Sequence, residues 1–339
     1  MRSAILAGCL LLLGACGGSG VPARPPVPPA VVPALDLPRI QPAPDGTGET
    51  EAVSLFGEPL APPVLSPGTR ADREAKLAAA RAEARARPDD VEAMIWLGRR
   101  AAYLGRYREA IEVYTRALAA HPDEPRLLRH RGHRYLSIRR FDLAVQDLER
   151  AAQLVAGQPD EVEPDGLPNA RNIPVSTLQT NIWYHLGLAH YFLGGASGMA
   201  GARKAFEECL RLSTNADMRV SATHWLYMTL RRQGRAGEAE ALLEPIRPDM
   251  DVIENRAYHL LTLMYKGDIP PDAIPGLDNG GADAPTLGYG LGDWYLYNGR
   301  RDEAVKAFRE ILTWKDQWSS FGYIAAEADL KRLGEPITP

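Results

Sequence analysis

His130 and His133 stand three residues apart, the spacing at which two imidazoles on one helix can meet a single metal ion. Arg126, Arg129, Arg131 and Arg134 surround them, and that much positive charge repels a cation. His185 and His190 are five apart and do not share a helix face. The run Gly194–Lys204, GGASGMAGARK, has the glycines of a phosphate cradle. It lacks the Gly-Lys-Ser/Thr order and the preceding strand that such a cradle uses. No HExxH, Cys-x-x-Cys or Gly-x-Ser-x-Gly occurs. Asp and Glu are plentiful, and on helix surfaces their default work is solvation and i,i+4 pairing. The three cysteines, Cys9, Cys16 and Cys209, make no disulfide framework, and Cys209 reads as a buried, inert thiol. The residues therefore predict no catalytic centre, no metal and no cofactor. A hydrolytic enzyme is the remote alternative.

The chain begins with an address. MRSAILAGCLLLLGAC offers one basic residue, an apolar run from Ala4 to Leu13, then small residues, as in a secretory signal peptide over 1–15. The run is too short to span a membrane, which takes ~20 residues. Leu13-Gly14-Ala15-Cys16 resembles the bacterial lipobox, which implies a lipidated Cys16 as the first mature residue. Gly17 after it, by resemblance to other bacterial lipoproteins, favours the outer membrane, facing the periplasm of a Gram-negative cell. Acyl chains (palmitate among them) would hold the protein there, each buried methylene contributing ~0.8 kcal/mol. Residues 16–69 hold 13 of the 28 prolines without any hydrophobic period, so a disordered, semi-rigid tether is expected.

Helical signals start at Thr69, where Thr69-x-x-Asp72 resembles a capping box ahead of an Ala/Arg/Glu-rich leading helix. From Leu97 the chain reads LGRRAAYLGRYREAIEVYTRALAAHP, with Leu97, Gly98, Gly105, Tyr107, Ala110, Tyr114, Ala117 and Pro122 in fixed phase. This resembles the tetratricopeptide repeat, a 34-residue helix–turn–helix unit. Units are expected at about 91–124, 125–158, 180 onward, 220–250 and 285–316, with a worn one near 252–275 and a closing helix over Trp318–Leu333. The second departs from the pattern at Arg131 and Arg139, and the third has a turn at Gly194–Gly198 that is three residues too long. The fold class is thus all-α, an α-solenoid of antiparallel helix pairs over about 70–334.

The order of parts is similar to the NlpI-type lipoproteins of Gram-negative bacteria. The local echoes are Trp225-Leu226-Tyr227, Tyr265-Lys266-Gly267-Asp268-Ile269 and Tyr289-Gly290-Leu291-Gly292-Asp293-Trp294-Tyr295-Leu296. That resemblance implies a dimeric periplasmic adaptor that brings cell-wall (peptidoglycan) hydrolases to a protease. An assembly lipoprotein, either a secretin pilotin or an outer-membrane protein assembly factor, is the alternative. By resemblance to tetratricopeptide proteins, the concave groove is lined from the first helix of each unit. Those phases give Arg99, Tyr103, Arg126, Arg129, His133, Asn181, Tyr184, Tyr191, His224 and Met228. Arginines beside aromatics suit a peptide bearing carboxylates. Net charge −4 argues against nucleic acid as a partner. Counted along the chain, residues 70–150 carry 18 Lys/Arg against 13 Asp/Glu, and residues 151–339 carry 18 against 25. The first repeats are therefore expected to be basic and the later ones acidic.

Overall fold

A computed structural model describes residues 50–275 and 281–338. The signal peptide, Cys16 and the tether up to residue 49 lie outside the described residues. From residue 50 the chain is already part of the fold, which corrects the expected tether boundary at 69. Strand β1 (Ala52–Val53) pairs antiparallel with β2 (Pro59–Leu60), Ala52 opposite Leu60, and both of those side chains are buried. This ribbon is tied at both sides. Arg108 Nε donates to the Glu51 carbonyl at 2.9 Å, and Trp318 Nε1 donates to the Ala61 carbonyl at 2.7 Å.

Helix α1 (Pro67–Ala86) is capped by Ser66, whose hydroxyl accepts from the Thr69 amide at 3.2 Å, with Pro67 in the first turn. The cap therefore sits three residues before the expected Thr69. Three regular pairs follow: α2 (Val91–Tyr103) with α3 (Tyr107–Ala120), α4 (Pro125–Ser137) with α5 (Phe141–Leu154), and α6 (Leu178–Leu193) with α7 (Gly195–Leu212). Within each pair a glycine lets the backbones close. A Cβ at Gly98 would fall 2.3 Å from the Tyr114 ring, and one at Gly187 2.4 Å from Phe206. The third unit has no long turn. Gly194 and Gly195, left-handed at φ 69° and 67°, make the connection, and the additional residues lengthen the start of α7 instead.

Arg139 occupies the turn position that Gly105 fills in the first unit, and it adopts the same left-handed backbone, φ 66° against 79°. For a side-chain-bearing residue this costs ~1–2 kcal/mol. Its guanidinium offsets the cost by donating to the Ser137 and Trp318 carbonyls and to Glu327.

In the fourth unit α8 (Ala216–Arg232) has only a short partner, α9 (Ala236–Ala241). The chain then loops back under the buried Asp217 carboxylate, which accepts from the amides of Ile253, Glu254 and Asn255 at 2.9, 2.7 and 2.9 Å. That anchors the start of α10 (Arg256–Lys266), the single helix of the worn unit, which ends at Gly267 in the left-handed conformation. The last pair is α11 (Ala284–Tyr297) with α12 (Arg301–Ile311), and α13 (Phe321–Leu333) follows. The architecture is an all-α solenoid of antiparallel pairs.

Candidate partner-binding site

The first helices of successive units pack on one another in order, so α2, α4, α6, α8 and α11 together build one face of the array. Helix α13 lies across that face. Phe321 packs against His133 of α4 at 5.5 Å and His185 of α6 at 5.7 Å between ring centres. Arg332 donates to the Phe192 carbonyl at 2.9 Å. Arg232 of α8 bridges Asp293 of α11 at 2.7 Å and Asp329 of α13 at 2.8 Å. Glu327 meets Arg139 at 2.7 Å, with side chains 1% and 3% exposed. From Gly322 to Leu330 every residue of α13 is buried. Its small side chains, Ala325, Ala326 and Ala328, let it fit, and its acids find arginines already in place.

The loop 155–177 covers a second part of the face. Gly166 lies so near Tyr103 that a Cβ would fall 1.8 Å from its hydroxyl. The Gly166 carbonyl accepts from Arg100 Nη1 at 3.1 Å. Glu163 is buried against Arg129 at 2.9 Å and accepts from Asn181 Nδ2 at 3.0 Å. Burial and the charges of Arg129, Arg99 and Arg134 hold His130 well below the ordinary histidine range, and burial with the charges of Arg134 and Arg129 does the same for His133. His185 is held there by burial and by Arg129 and Arg134.

The groove residues inferred from the sequence therefore part company. Tyr191, His224 and Met228 are 0% exposed. Tyr191 accepts from Tyr289 Oη at 2.8 Å, and His224 stacks on Tyr258 and Tyr265. Tyr184 is buried with Tyr258 Oη at 2.9 Å and Trp225 Nε1 at 3.0 Å. Arg129 and Asn181 are buried beneath Glu163, and His133 stacks on His185 at 4.2 Å. As the chain stands, a partner cannot reach the buried members of this set. Arg99, Tyr103 and Arg126 keep partial exposure. Arg126 is occupied by Glu124 at 2.8 Å.

What stays open is the side of α2 and α4 next to the loop. Arg99 lies over the Trp96 ring at 4.5 Å, its Nε donating to Tyr103 Oη at 3.3 Å. Arg100 lies over the same indole at 4.8 Å, and Arg134 over Tyr107 at 5.3 Å. Among the described residues none of these three guanidiniums has a carboxylate within ion-pair distance. Arg134 and Trp96 were missed because the borrowed groove phases skip them. The signal for α13 was present: FGYIAAEADL has no solvated face, the mark of a helix buried all round.

Residues 91–133 match the tetratricopeptide repeat family, and the helix pairs described above give the rest of the array the same helix–turn–helix architecture. No curated protein matches it. Among solved structures, that of MamA is 17% identical over 61% of this chain and 99% of that one, with a TM-score of 0.40. YrrB, described as a TPR protein with an unusual peptide-binding site, is 16% identical, covering 75% and 98%, with a TM-score of 0.39. A tetratricopeptide repeat protein from Parabacteroides merdae is 16% identical, covering 78% and 87%, with a TM-score of 0.43. The class rests on the 91–133 match and on the helix pairing. Arrays of this class are protein–protein interaction scaffolds.

Proposed function

We propose that the protein is a membrane-anchored scaffold that holds partner proteins on the open side of α2 and α4, with no catalytic step of its own. The observation that carries this is the set Arg99, Arg100 and Arg134, cations backed by Trp96, Tyr103 and Tyr107 and in no ion pair among the described residues, with the Asp165 carboxylate near Arg99. Guanidiniums held on aromatic faces keep their planar donor forks available, which suits partner segments carrying Asp, Glu or a terminal carboxylate. The lipobox-like Cys16 supports an outer-membrane anchor facing the periplasm. The similarity to NlpI-type adaptors favours cell-wall hydrolases, or the protease that removes them, as those partners.

The test uses the double variant Arg99→Glu/Arg134→Glu, with circular dichroism to check the fold. Partners recovered from solubilised envelopes by the parent protein should be lost with the folded variant. Equal recovery by both would sink the proposal. Deletion of the gene should alter muropeptides; lost secretin multimers or depleted porins would point to an assembly factor instead. Cys16→Ser should move the protein from the membrane to the soluble fraction.

A further inference from the structure

We propose a second site, an oxyanion-binding cleft between the start of α7 and the ends of α8, α11 and α13, for a carboxylate or phosphate on a ligand with an apolar body. The cleft encloses about 750 Å³ and is lined by Ala196 and Met199 of α7, by Arg231, Arg232 and Gln233, by Leu296 and Tyr297, and by Arg332. That volume lies in the range of small-molecule sites and exceeds what a bare inorganic anion needs.

Three guanidiniums line this cleft and no carboxylate does. Arg232 and Arg332 are answered from behind by Asp293 and Asp329. Arg231 is not. It lies over the Tyr297 ring at 4.5 Å and donates only to neutral groups, Tyr227 Oη at 3.0 Å and Asn298 Oδ1 at 3.2 Å. The wall is thus left with one net positive charge from three arginines and two aspartates. Helix α7 opens here without a side-chain cap and adds its positive end to the field of the arginines. Met199, Leu296 and the Tyr297 ring supply the apolar wall. The glycine-rich run at 194–204 thereby sits beside cations that come from other parts of the chain, even though it lacks the order of a nucleotide loop.

The experiment is calorimetric titration of the protein with two probes, pyrophosphate and citrate. At least one should saturate a single site, and which of them does so identifies the ligand as phosphate or carboxylate; both saturating marks a general oxyanion site. Arg231→Gln should weaken binding about tenfold, as loss of a charge-assisted hydrogen bond does. Ala196→Glu puts a carboxylate on the exposed first turn of α7, where it favours the helix, so the melting temperature should hold while binding is lost. No saturable binding of either probe, or binding that Ala196→Glu leaves unchanged, overturns the site. Neither variant touches Arg99 or Arg134, so partner capture and anion binding fail independently.

Discussion

Where α13 covers the array, arginines meet acids: Arg139 with Glu327, and Arg232 with Asp293 and Asp329. On the partly exposed side of α2 and α4, Arg99, Arg100 and Arg134 rest on aromatic rings and form no ion pair. Both regions are built from the same repeat, so the repeat alone does not decide what an arginine on this face does. In one region it is a structural cation, fixed by a partner far along the chain. In the other it rests on an aromatic face and forms no ion pair. The difference teaches that the face of a repeat array can be filled by its own chain along most of its length.

Matched substitutions sharpen the contrast. Arg139→Met strands the Glu327 carboxylate in the interior and should cost about 3–5 kcal/mol, the usual penalty for breaking a buried pair. Arg134→Met removes a half-buried cation that forms no ion pair and so strands no carboxylate, and its cost should stay well below that of Arg139→Met. Thermal or urea unfolding of the two variants side by side decides it, and equal losses would erase the distinction between the regions.

Gly187→Ala probes the packed region from its backbone. The added methyl meets Phe206 and should cost about 1–3 kcal/mol, readable as a lower denaturation midpoint.

Acidification acts next. His130, His133 and His185 have depressed pKa values in the folded chain, through burial and the arginines around them. Below an unfolded value of about 6.5 the unfolded chain therefore binds more protons than the folded one. Stability is complete above that pH and should fall by about 1.4 kcal/mol per pH unit for each such histidine until its folded pKa is reached. His185→Phe should flatten the fall, and a midpoint unchanged from pH 7 to pH 5 would contradict this account.

The smallest effect on stability is expected at Arg99. Arg99→Gln should leave the melting temperature within the scatter of surface substitutions, yet weaken capture of a carboxylate-bearing partner about tenfold. Unaltered capture would remove Arg99 from the surface.

Much of the fold was legible because it is local. The glycine at Gly98 and the ring at Tyr114 belong to one hairpin, so their spacing announces their contact. The worn unit near 252–275 followed from a pattern that fades, and the single helix α10 ending at Gly267 occupies it. The longer α7 was misjudged because spacing cannot tell whether additional residues enlarge a turn or extend a helix. The candidate site was legible only in part. Arg99 and Tyr103 lie where the repeat phase puts them, but Tyr191, His224 and Met228 occupy the same phases and are buried.

The amino-acid order by itself determined the helices, their pairing and the turns, since the interactions that fix them lie within one repeat. Only the tertiary structure decided which part of the face stays open. That outcome depends on Glu327 reaching Arg139 across 188 residues and Asp329 reaching Arg232 across 97. It depends too on Glu163 settling on Arg129 from a loop with no regular period. Pairings between distant residues leave no periodic trace, because each is selected by shape and charge only after the array has formed.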